Sequence, residues 1–162
     1  MEQQHTIGKA VSITGVGLHT GNRSTLTFLP APPNSGIVFR RVDLPNRPEV
    51  KADIDNVVDI SRGTTIQKGE ARVHTTEHVL AAIAGLMIDN VMIELDANEP
   101  PVIDGSAMPF VQTLKAAGFV EQDSPRDYLI IEKPIAYSDE KRGIDIIAFP
   151  SDEFRITFLV DY

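Results

Sequence analysis

Apolar and polar positions alternate with a period of two through much of the first third of the chain, which predicts strands at residues 4–13, 23–29 and 36–42. Leu26 and Phe28 fall on one face of the second of these. Turn clusters separate the segments: APPNSG fills positions 31–36 and LPNRP positions 44–48. Shorter strands are predicted at 49–54, 64–67 and 71–74. The period then lengthens. Val79, Leu80, Ile83, Leu86 and Met87 form one apolar stripe at helical spacing, predicting a helix over 76–87 with a threonine hydroxyl as its N-cap. Val91, Ile93 and Leu95 alternate again within 89–96, as a strand laid on that helix would. A second helix fits 107–117, with Ser106 as N-cap, Pro109 in the first turn and Gly118 as C-cap.

Beyond it, EQDSPRD at 121–127 is polar and proline-bearing, which reads as a linker. Strands are predicted after it at 128–131, 143–149 and 154–160, the last placing Phe154, Ile156, Phe158 and Val160 on one face. No helix follows to cover that face before Asp161 and Tyr162, so the pattern predicts a second domain that is begun but not completed. The expected fold class is α+β: a two-layer sheet-on-helices sandwich, with the first strands of a second similar domain. The expected division is a first domain at 1–122, a linker at 123–127 and the start of a second domain at 128–162.

Composition narrows the function classes. The 162 residues are 42% hydrophobic, with 23 acidic against 15 basic side chains and a net charge of -8. That sign argues against a nucleic-acid partner, which clustered Lys and Arg would serve. The longest apolar run, 79–88, is about half of what a bilayer crossing needs, so no membrane span is expected. The opening MEQQHTIGK lacks the apolar core of a signal peptide, and a cytoplasmic location is expected. The chain has no cysteine, which excludes disulfides, thiolate catalysis and cysteine-based zinc sites; a metal would fall to the four histidines and the carboxylates.

Three stretches carry candidate chemistry. Gly15-Val16-Gly17-Leu18-His19-Thr20-Gly21 fails as a dinucleotide loop, because its third glycine comes one residue late and a strand follows. It reads either as a turn or as a turn that holds His19 in a cleft. His74-Thr75-Thr76-Glu77-His78 matches H-x-x-E-H literally, but the two β-branched threonines favour a helix that starts after His74. Glu77 and His78 then sit in the first helical turn, outside the apolar stripe. One reading is a metal-ligating imidazole beside a proton-accepting carboxylate; the other is a dipole-complementing Glu and a surface His. In Glu99-Pro100-Pro101-Val102-Ile103-Asp104-Gly105-Ser106, a rigid loop feeds a helix start, and Asp104 is read as a structural cap in preference to an orienter of a catalytic partner.

These segments together resemble one family, the zinc-dependent UDP-3-O-acyl-N-acetylglucosamine deacetylases. The resemblance is carried by residues 14–21, Phe39-Arg40-Arg41, Thr76-Glu77-His78, Ile88-Asp89-Asn90-Val91, Asp104-Gly105-Ser106-Ala107 and Pro109-Phe110, in register over the whole chain. It spans the first half or so of a family member. It implies two similar domains, each a sheet layered on helices, with the active site in the cleft between them. It makes His78 a zinc ligand and Glu77 the general base for the water that attacks the N-acetyl carbonyl, and gives His74 no role. Leu18, His19, Arg62, Gly63 and Thr64 would line the cleft near a UDP-sugar lipid substrate, Arg62 standing where other members carry an apolar residue. No organic cofactor is implied. The remaining zinc ligands would lie beyond residue 162, which makes the isolated chain inactive. Its uncovered strands at 128–162 would favour self-association. The competing expectation is a non-catalytic α/β binding or scaffold module.

Overall fold

The computed structural model describes residues 2–160 and divides them into two compact units, meeting at Arg126 and Asp127. The first unit holds β1 (Gln3–Ile7), β2 (Val11–Val16), β3 (Arg23–Pro30), β4 (Ile37–Arg41), β5 (Glu49–Lys51), β6 (Val57–Asp59), β7 (Thr65–Lys68), β8 (Ala71–Val73), α1 (Glu77–Gly85), β9 (Val91–Leu95), α2 (Met108–Ala117) and β10 (Phe119–Pro125). The class is α+β, as the hydrophobic pattern predicts.

The main sheet has the order β2-β3-β9-β4-β5. Its strands are antiparallel except where β4 runs parallel to β9. Register places Val11, Phe28, Ile93, Phe39 and Val50 in one row, one residue from each strand. That face supplies the core, with Val79, Ala82 and Ile83 from α1 and Phe110, Leu114 and Ala117 from α2. A smaller antiparallel sheet, β6-β7-β8, adds Ile66, Ala71 and Val73 to the same core. The predicted strand over 4–13 is two strands, broken at Gly8 and Lys9.

The polar stretch read as a linker is a strand as far as Pro125. β10 pairs antiparallel with β1, and polar side chains anchor it. Gln122 donates to the Ala31 carbonyl at 2.9 Å and accepts from Asn90 at 2.7 Å. Arg126 forks onto Asp89 through two N–H donors at 2.8 Å each and donates to the Met87 carbonyl. Such a bidentate pair fixes geometry as well as charge.

The second unit contains the hairpin β11 (Ile135–Asp139) and β12 (Ile144–Ala148). Of the three strands predicted there, 143–149 corresponds to β12, whereas 128–131 and 154–160 form no strand. Period-two alternation makes a strand possible, but a strand exists only with a hydrogen-bonded neighbour, and those segments find none among the described residues. Phe154, Phe158 and Leu159 are 95%, 84% and 91% exposed. Asp161 and Tyr162, the end of the expected second domain, lie outside the described residues.

Candidate active site

Four elements of the first unit bring the candidate residues together. β2 ends in the turn that carries Leu18 and His19, closed by the Gly21 N–H donating to the Gly17 carbonyl at 3.2 Å. The loop between β6 and β7 carries Arg62, Gly63 and Thr64, and β8 leads into α1. The loop after β9 carries Glu99 and the two prolines.

Glu77 opens α1, and its Oε2 accepts the Thr64 N–H at 2.9 Å. Gly63 makes the approach possible. A Cβ there would lie 2.8 Å from Glu77 Oε1, and its φ of +147° is one that side chains rarely adopt. Thr76 stands at the N-cap position, yet its hydroxyl caps nothing in the helix; it donates to the Thr64 carbonyl at 3.1 Å instead. The expected threonine cap is thus a cross-link to the Gly63–Thr64 loop. His19 Nε2 lies 2.9 Å from the Arg62 carbonyl, which can only accept, so the proton is on Nε2. His19, Arg62 and Gly63 line a cavity of about 170 Å³ with Asp59, Ser61 and His74. Leu18 is half exposed beside the turn.

His78 points elsewhere. It sits with Thr75, Pro100, Pro101, Val102 and Phe110 around a second, smaller cavity. Glu77 and His78 are consecutive, so about 100° of helical rotation separates their side chains. His74 ends outside α1, its backbone N–H on the Asn98 carbonyl and its Nδ1 3.0 Å from Thr65 Oγ1. Burial, with Arg72 nearby, pushes the His74 imidazole below its ordinary pKa, against the pull of Glu99. Between His74 and the helix, Thr75 has a left-handed φ of 53°, so the H-x-x-E-H residues are not one helical face. Among the described residues no three His, Asp or Glu side chains converge to hold a metal ion. A catalytic zinc takes three protein ligands, so these residues alone do not make that site.

Asp104 accepts from the Ser106 N–H and hydroxyl at 2.9 Å each, and Ser106 Oγ accepts the Met108 N–H at 3.1 Å. The Ser106 N–H, followed by its hydroxyl, holds the Asp104 carboxyl below the usual range. Asp104 is structural, as read, but it closes the turn onto Ser106 and does not cap the helix; the N-cap position of α2 is Ala107, one residue past the expected Ser106, and carries no side-chain cap bond.

Sequence reading missed Glu99, which is fully buried. Its carboxylate accepts from the His19 and Thr20 backbone N–H groups, the Thr20 hydroxyl and the Thr75 hydroxyl. Burial alone would push this carboxyl up; the Thr20, Thr75 and His19 donors outweigh it and hold it below the ordinary carboxylate range. A carboxylate depressed on folding stabilises fully above its unfolded pKa and loses that contribution as pH falls through its native value. The thermal midpoint should therefore fall with acidification below roughly pH 4.3, the ordinary Glu value. A shallower slope is expected in Glu99→Gln, measured by circular dichroism melts across the pH series.

The family profile described as LpxC, UDP-3-O-acyl N-acetylglycosamine deacetylase, matches residues 4–162. A bifunctional LpxC/FabZ enzyme of Chlorobaculum tepidum is 53% identical over 98% of this chain and 34% of its own length. The corresponding bifunctional enzyme of Porphyromonas gingivalis is 46% identical over 96% of this chain and 34% of its own. A UDP-3-O-acyl-N-acetylglucosamine deacetylase of Methylococcus capsulatus is 44% identical over 100% of this chain and 53% of its own. The chain thus spans between a third and about half the length of the curated relatives it matches. With nearly every position inside the matched span, the chain belongs to the UDP-3-O-acyl N-acetylglycosamine deacetylase family.

Proposed function

We propose that this chain is the N-terminal part of a zinc amidohydrolase that removes the N-acetyl group from UDP-3-O-acyl-N-acetylglucosamine in lipid A synthesis, in the cytoplasm of a Gram-negative bacterium. The observation that carries the reading is the Glu77 carboxylate, held at a helix start by the Thr64 N–H beside the cavity of His19, Arg62 and Gly63. Among the described residues Glu77 Oε1 accepts no hydrogen bond, which leaves it able to take a proton from the attacking water. His78 would give one imidazole to the metal, and ligands beyond residue 162 would complete the set. Zinc, when bound, polarises the amide carbonyl as a Lewis acid. Leu18, His19, Arg62, Gly63 and Thr64 would form the wall against which the sugar is held.

Metal content of full-length variants tests the ligand assignment. His78→Ala is expected to lower bound zinc sharply, whereas His74→Ser keeps both zinc and activity near normal, because Thr75 separates His74 from the helix. Zinc loss in His74→Ser would restore the two-histidine site.

The isolated chain should be inactive and bind zinc weakly, since one imidazole leaves most positions to water. The exposed Leu129, Phe154, Phe158 and Leu159 should drive its self-association. Zinc calorimetry and sedimentation at several concentrations check both. Sub-micromolar one-to-one binding would remove the first expectation, and a strict monomer the second.

A further inference from the structure

We propose that Glu99 is a positioning residue for the reaction: one buried carboxylate that sets Glu77 by joining the His19 turn to the Thr75 hinge. The proposal rests on the reading of Glu77 as proton acceptor.

The hydrogen bonds around it form a closed circuit. Glu99 accepts the His19 N–H on both oxygens at 3.1 Å. The His19 ring reaches the Arg62 carbonyl at 2.9 Å, and two residues on, the Thr64 N–H reaches Glu77 Oε2 at 2.9 Å. Thr76 N–H and hydroxyl both return to the Thr64 carbonyl at 3.1 Å. Thr75 completes the ring, its hydroxyl donating to Glu99 Oε1 at 2.8 Å. Each link leads through the next to the Thr64 N–H and the Thr75–Thr76 backbone that hold Glu77 from two sides.

Thr75 is the strained member. A β-branched residue with φ of 53° is a genuine outlier, held only where its surroundings over-determine it. The Glu99 bond is what the buried Thr75 side chain gains in that conformation. Reversal of φ at Thr75 would redirect the chain just before Glu77. Gly17 shows how tightly the carboxylate is seated: a Cβ there would lie 2.5 Å from Glu99 Oε2 and 2.7 Å from Thr20 Oγ1. Among the described residues four donor groups and no cation converge on Glu99, and two of the donors are backbone N–H groups, so an amide replaces it poorly. Whichever way a glutamine is turned, its NH₂ would face the His19 N–H, which can only donate.

The test uses the full-length enzyme loaded with zinc. Glu99→Gln should lower kcat roughly 10–100-fold, the scale of a small misplacement of a catalytic group, with zinc content and KM little changed. Should that variant not fold, Thr75 gives the same information. Thr75→Ala loses the hydroxyl and is left at an unfavourable φ, while Thr75→Gly adopts that φ freely. The geometry therefore predicts higher kcat for Thr75→Gly than for Thr75→Ala, the reverse of an ordinary flexibility penalty. Wild-type kcat in Glu99→Gln, or in Thr75→Ala, would overturn the positioning role. Glu77→Gln in parallel keeps the two ideas apart: full activity there sinks the base assignment itself, whereas its loss alongside an active Glu99→Gln sinks positioning alone.

Discussion

Glu77→Gln in the full-length enzyme is expected to cut turnover by roughly 10²–10⁴-fold with zinc still bound, the usual contribution of a positioned general base. Glutamine fills the same volume. Its amide oxygen can keep the bond from the Thr64 N–H, now made to Oε2 at 2.9 Å. The remaining atom is then an NH₂ packed against Gly63, where the carboxylate presents Oε1. An amide nitrogen in that place donates and cannot accept a proton. Structure should thus survive while chemistry fails, which separates this variant from His78→Ala. Steady-state kinetics at saturating zinc, with metal content measured on the same sample, decides it. Undiminished kcat would remove Glu77 from the base role.

Phe28→Ala should cost about 3–5 kcal/mol of stability, the range for truncating a fully buried aromatic side chain. Phe28 has no exposed surface and sits in β3, flanked in its row by Val11 on one side and Ile93 on the other. The row continues to Phe39 and Val50, both buried, so the hole opens inside the sheet's packed face. A domain holds only about 5–15 kcal/mol in total, so the variant would be marginal at ambient temperature. Val11→Ala, at the half-buried end of the same row, should cost much less. Urea unfolding of the chain followed by circular dichroism measures both. The expected signature is a lower midpoint at unchanged slope; equal shifts for the two variants would show that the row has no energetic centre at Phe28.

Elements whose pattern comes from burial were legible in the sequence. Leu26 and Phe28, Val91, Ile93 and Leu95, and Val79 and Ile83 of α1 face the core, with Leu80 and Leu86 packed against it, whereas Met87, read into the same stripe, lies past the end of α1 at Gly85 and is half exposed. Pairing was not legible. β9 lies between β3 and β4 although about fifty residues of chain separate it from β4, and alternation carries no information on neighbours. β10 was hidden for a different reason: its partners are polar. Gln122 and Arg126 find Asn90 and Asp89 more than thirty residues away, and a proline-bearing polar run looks like a connector until those partners are known. Conversely, the alternation at 154–160 was clear, yet forms no strand, since a regular pattern supplies no hydrogen-bonding neighbour.

The site divides in the same way. Glu77 and His78 stood out because chemistry-bearing types adjoin at a helix start. Glu99 did not, since an acidic residue before two prolines resembles any surface loop. Its burial depends on Thr75, 24 positions back, taking a φ that threonine seldom takes.

The pairing of β1 with β10 sets the order of events during synthesis. Gln3 lies opposite Pro125, so the earliest strand made waits for the last strand of the first unit before its ladder can close. Closing a loop of that length costs more entropy than a local hairpin does, though the cost grows only logarithmically. A nascent chain that has emerged as far as α2 can bury its sheet face but leaves Gln4, Asp89 and Asn90 without the partners that β10 and Arg126 bring. A nascent chain arrested with α2 outside the ribosome and β10 still inside should therefore be an open-edged, protease-sensitive intermediate, and emergence of β10 and Arg126 should convert it into a resistant one.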